Sequence, residues 1–212
     1  ACSKDESKRS LWDELKLYGE IGYHYVLVCL FGPCPRLPTR SQPDLIRAFA
    51  AAVCVASAYH DQANSESGRI KYVFHSCYHT FSSAITFLQA LQVCKDDILN
   101  SHTFTDIENS LNCFATLFST MAERWPAVSR CSQEFEQLLR PIKDDYTNFL
   151  LERASNATYE TPCKTVGGLA SMTLERRIFT TTSTRCLTIG IWSLVSGLMP
   201  YFRSKRDITA AL

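Results

Sequence analysis

No Cys-x-x-Cys pair occurs anywhere in the 212 residues, although the chain holds ten cysteines. Structural zinc sites gather thiolates through such closely spaced pairs, so zinc-dependent DNA recognition cannot be assigned to these residues. Cys2, Cys29, Cys34, Cys54, Cys77, Cys94, Cys113, Cys131, Cys163 and Cys186 are spread almost evenly, mostly inside apolar helical patterns. A thiol in that setting behaves as a small hydrophobe, and the spread reads as a reducing compartment rather than a disulfide scaffold. Charge of one sign is lacking too, with 22 Lys and Arg against 21 Asp and Glu and a net charge of +1. Such a chain draws in neither nucleic acid nor anionic membrane through its overall field. The glycine-rich phosphate loops Gly-x-Gly-x-x-Gly and the Walker sequence are missing, as is Gly-x-Ser-x-Gly. The most apolar late stretch, Cys186 to Met199, contains Gly190, Ser193, Ser196 and Gly197. It falls short of the roughly 20 residues a membrane helix needs, so no membrane span is expected. Ala1-Cys2-Ser3-Lys4-Asp5 forms no apolar signal core, and the start without Met reads as a fragment or processed product.

What the chain does have is apolar spacing of three and four, together with enough apolar residues, 46%, to bury a core. Ser10 and Asp13 suggest a cap, and Leu11, Leu15, Tyr18, Ile21, Tyr25 and Val28 predict a first helix from about Leu11 to Leu30. Gly32-Pro33-Cys34-Pro35-Arg36-Leu37-Pro38 cannot continue it and reads as a stiff connector. Ser41, Pro43 and Asp44 mark a second helix with a face of small residues, and Ile70 to about Val93 predicts a third, antiparallel to it. Thr105 with Glu108 suggests a capping box opening a fourth helix that ends or bends at Trp125-Pro126. A fifth follows through Phe135 and Leu139, with a kink expected at Pro141. The class is therefore all-α, an irregular array of about six to seven helices. Residues 1–152 read as one helical regulatory domain, 153–168 as a linker, 169–202 as a C-terminal helical segment packed on it, and 203–212 as a tail.

Two stretches carry a likeness to a known family. The first is Tyr23-His24-Tyr25-Val26-Leu27-Val28-Cys29-Leu30-Phe31-Gly32-Pro33-Cys34-Pro35-Arg36-Leu37-Pro38, followed by Ser41-Gln42-Pro43 and the alanine-rich run 48–58. The second is 117–131, with Ala122-Glu123-Arg124-Trp125-Pro126 at its centre, leading into Phe135-Glu136-Gln137-Leu138-Leu139. In this order and spacing, over 11–151, the chain resembles the fungal-specific transcription factor domain, the regulatory region downstream of binuclear zinc clusters. It departs at Gly32, where the family has an Arg before Pro-x-Pro, so any cap or ion pair made by that Arg is absent. The resemblance implies a nuclear regulator of transcription by RNA polymerase II, not an enzyme. It also implies zinc only in a DNA-binding module outside this chain and contact with DNA only through that module. A small-molecule effector, other transcription regulators or a second copy are the implied partners, with no membrane. Pro33, Pro35, Arg124, Trp125 and Pro126 carry the motif, and Tyr59, Phe74, Tyr78, Phe81, Phe114 and Phe118 are the candidate lining of an effector pocket.

Other chemistries compete. His75 and His79 share one helix face at a spacing that suits zinc, but Ser76 and Tyr78 stand where a metalloprotease needs Glu, and no metal is assigned. Asp96-Asp97, expected at a helix end, and Asp144-Asp145, expected near a helix start, invite comparison with helical terpene and prenyl synthases. Each pair is followed by Asn, Asn100 or Asn148, and magnesium wants more hard oxygen ligands than that. Asn156-Ala157-Thr158 is a glycosylation acceptor by pattern only. Two alternatives to a sensor domain therefore stand: an interaction scaffold or coregulator without a DNA-reading module, and a magnesium-dependent helical enzyme.

Overall fold

The computed structural model describes residues 2–34, 36–65, 70 and 73–158, with side chains described between 11 and 155. The helices are α1 (Cys2–Phe31), α2 (Gln42–Asn64), α3 (Val73–Val93), α4 (Lys95–Ser101), α5 (Phe104–Arg124) and α6 (Val128–Thr158). The protein is all-α; among the described residues the only β pairing is a single antiparallel bridge between Cys34 and Leu37. No described helix is long and apolar enough to cross a membrane. The expected C-terminal segment 169–202 and the tail lie outside the described residues, whereas the first part of the expected linker, 153–158, is helix.

The proline connector makes the first corner. Cys34 and Leu37 exchange backbone hydrogen bonds of 3.1 and 3.0 Å, closing a tight turn. Gly32 leaves no room for a side chain: a Cβ there would meet the Val28 carbonyl oxygen at 2.4 Å and the Thr86 hydroxyl at 3.2 Å. α1 thus ends hard against α3, and Arg40 donates from Nε to the Gly32 carbonyl at 2.9 Å. Ser41 then opens α2 as the sequence predicts, accepting from the Asp44 amide at 3.3 Å with Pro43 in the first turn.

α2 and α3 run antiparallel, with Phe49 stacked on Phe87 at 4.7 Å and Tyr59 bonded to His79. Ala48, Ala52 and Ala56 are fully buried one turn apart, which lets α3 approach closely. α3 is the hub, touching each of the other five helices. Every residue from Ser83 to Leu91 is buried, including the polar Ser83, Thr86 and Gln89. Phe81 and Phe87 meet Phe114, Phe118 and Phe135 from α5 and α6 in a continuous aromatic core with ring centroids 5.5–6.1 Å apart. Each such fully buried ring contributes roughly 1.5–3 kcal/mol.

Several expected boundaries are corrected. α1 passes through Ser10 without a cap there and begins near the start of the chain. The third helix starts at Val73 rather than Ile70, and a short separate α4 follows it. α5 is opened by Thr103 and Asp106, not Thr105 and Glu108: the Thr103 hydroxyl accepts from the Asp106 amide at 3.2 Å while the Asp106 carboxylate accepts from the Thr103 amide at 2.8 Å. Pro141 lies inside an unbroken α6. Phe135, Ile142 and Tyr146 are buried on either side of it, and their packing outweighs the missing hydrogen bond.

Candidate functional site

Three settings are candidates for function, two of them joints on α3 and the third a cleft between α5 and α6. The first lies between α1, α2 and α3. Tyr25 stacks on His79 with centroids 3.8 Å apart, and Tyr59 shares a 2.8 Å hydrogen bond between its hydroxyl and His79 Nδ1. Tyr78 packs edge-on to Tyr25 at 6.2 Å. Burial, reinforced by the neighbouring His75, pushes the His79 imidazole down to about 4. Burial likewise lifts the Tyr59 phenol to about 12, against a hydrogen bond from Ser76 that lowers it. Tyr25 is raised by burial, then by Cys29 and Tyr78. A neutral imidazole bonded to a protonated phenol is a polar joint holding three helices, and near neutral pH it carries no charge for a substrate or ion. His75, one turn away, is exposed.

The second setting is the Trp125-Pro126 junction. Trp125 ends α5, its amide donating to the Met121 carbonyl at 3.0 Å, and its ring lies 6.1 Å from Phe74 on α3. Arg124 donates to the Ile70 carbonyl, tying the end of α5 to the approach to α3. Pro126 precedes α6 by two residues, in the turn closed by the Val128 amide on the Trp125 carbonyl at 2.9 Å. Just beyond it Cys131 meets Cys77 of α3 with the sulfurs 3.8 Å apart, both buried. The contact to Cys131 and burial hold the Cys77 thiol protonated.

The third is a cleft of about 330 Å³ between α5 and α6, floored by Leu111, Ala115, Phe135 and Leu139. Glu108, Asn112, Glu136, Arg140 and Lys143 complete the lining, so charges of both signs surround an apolar floor. None of the six predicted pocket residues lines this cleft. Phe81, Phe114 and Phe118 sit in the aromatic core, Tyr59 and Tyr78 in the polar joint, and Phe74 against Trp125. Sequence reasoning missed the cleft because its walls are made of residues that also read as ordinary helix surface. Its one available signal was the spacing of Leu111 and Ala115 against Phe135 and Leu139.

Among the described residues no group of three or more His, Cys, Asp or Glu is placed to hold a metal ion. The acidic pairs also sit differently from their expected places: Asp96-Asp97 lie in the first turn of α4, and Asp144-Asp145 in the middle of α6. Asp145 pairs with Lys95, whose ammonium also lies over the Phe149 ring, and Asn100 accepts from Arg153 at 3.1 Å. These side chains fasten α4 to α6. No protein-family model, curated protein or solved structure matches the chain.

Proposed function

We propose that this chain is the regulatory, effector-sensing part of a fungal zinc-cluster transcription factor, acting in the nucleus on transcription by RNA polymerase II through a DNA-reading module elsewhere in the protein. The reading starts from the resemblance of 11–151, and one observation carries it further: the α5–α6 cleft lies between the two helices that meet at the Trp125 junction. An occupant of the cleft would bear on the angle between α5 and α6. That angle is read by α3, because Phe74, Cys77 and Phe81 meet Trp125, Cys131 and Phe118 along one side of it. A ligand shifts such a balance only by its different affinity for the two packings. The lining suits a small molecule with an apolar body and polar ends, and the volume is at the low end for such sites.

The test is a fusion of this chain to an unrelated DNA-binding module driving a reporter gene. Reporter output should differ from that of the module alone and respond to some class of added metabolite. Ala115→Trp, which fills the cleft, should abolish the response while leaving the thermal unfolding midpoint within a few degrees. Output identical to the bare module under every condition would overturn the sensor reading.

A further inference from the structure

α1 carries an apolar face that nothing among the described residues covers. Ile21 and Val28 are buried against α2 and α3. On the far side Leu11, Trp12, Leu15, Tyr23, Val26 and Leu30 are each more than half exposed, Trp12 at 71%. From Ile21 to Phe31 the helix has no Lys, Arg, Asp or Glu. At about 100° per residue, positions 11, 15, 19, 22, 26 and 30 fall within one stripe, on the side of α1 away from the core. Its middle is occupied by Gly19 and Gly22, and a Cβ at either would have nothing within 4 Å.

The spacing along that stripe is four, four, three, four, four, the same read from either end. A surface of that kind matches itself when a second helix is laid on it antiparallel: Leu11 opposes Leu30, Leu15 opposes Val26, and Gly19 opposes Gly22. Trp12 opposes Cys29, also exposed. The geometry points to a second copy of this chain as the occupant, docked α1 on α1 about a two-fold axis passing between Gly19 and Gly22. An isologous contact requires each residue to meet its counterpart twice, as this pairing does. The glycines remove side chains where the two backbones cross, and opposed helix dipoles add a small favourable term. Six large side chains so exposed offer roughly 600–700 Å² per copy, near the ~800 Å² per partner of a standard interface. This proposal stands independently of the transcriptional reading.

Sedimentation velocity of the full chain across micromolar concentrations should show a monomer–dimer equilibrium. Leu15→Lys and Val26→Glu, singly, should each weaken it by at least about tenfold, because each change enters the symmetric interface twice. Both positions face water in the monomer, so circular dichroism and melting temperature should be unchanged at high dilution. Combined in one chain, L15K and V26E set the new ammonium of each copy opposite the new carboxylate of the other, and association should return to within about threefold of the parent. A wild-type monomer at all concentrations overturns the proposal and gives the face to another occupant, such as the apolar run 187–198. Singles without effect, or a double variant that is not rescued, overturn it as well, since parallel pairing sets like charges against each other.

Discussion

His79 is where the chain's acid sensitivity should concentrate. Its imidazole takes a proton near pH 4 when folded and near 6.5 when unfolded. Between those values the unfolded state holds more protons, so the stability contributed by the neutral ring is complete above about pH 6.5 and is lost as pH falls toward 4. His79→Gln keeps a hydrogen-bonding group for Tyr59 and removes the titrating site. Melting temperatures followed through this window should decline less steeply for the variant than for the parent. Parallel curves would place the acid response elsewhere. None of this was legible beforehand: Tyr25, Tyr59 and His79 are far apart in sequence, and only the antiparallel packing of α2 on α3 joins them. The i, i+4 spacing of His75 and His79 raised a metal pair only to be set aside, because spacing reveals a shared face and not what that face meets.

At the level of the helices, caps and prolines separate what pattern can see from what packing decides. Two overlapping texts, Thr103-Phe104-Thr105-Asp106 and Thr105-Asp106-Ile107-Glu108, both satisfy the three-residue offset of a capping box. The structure uses the first, with Asp in the place usually given to Glu or Gln. Thr103→Ala should therefore cost about 1 kcal/mol in urea unfolding, while Thr105→Ala should stay within about 0.5 kcal/mol. Equal costs would return the cap to Thr105. Pro141 makes the converse case, a proline that α6 runs through without ending. Pro141→Ala restores an amide donor to α6 and should raise stability by about 1–3 kcal/mol, measured the same way. The start of α2 was readable because Ser41, Pro43 and Asp44 agree with one another and no second frame competes.

Across the whole molecule, the helical class and the inward faces of α2, α3 and α5 were legible, since three-to-four spacing is a property of each helix alone. Contacts between helices were not. The fastening of α4 to α6 by Lys95 and Asp145, the cap from Arg40 to Gly32 and the cleft between α5 and α6 all depend on how separate elements meet. The same distinction orders stability. Amide exchange should be slowest in the buried stretch Ser83–Leu91 of α3 and faster in the exposed middle of α6 around Pro141, and an exchange map with the reverse ranking would contradict the hub arrangement. α3 having no water-facing side over that stretch also constrains its history. A change of volume at almost any of those nine positions must be answered on a different neighbouring helix, so this segment cannot drift one residue at a time. Lineages carrying this fold should show it changing in coordinated sets, while exposed α6 positions away from the cleft and the α4 contacts vary freely around it.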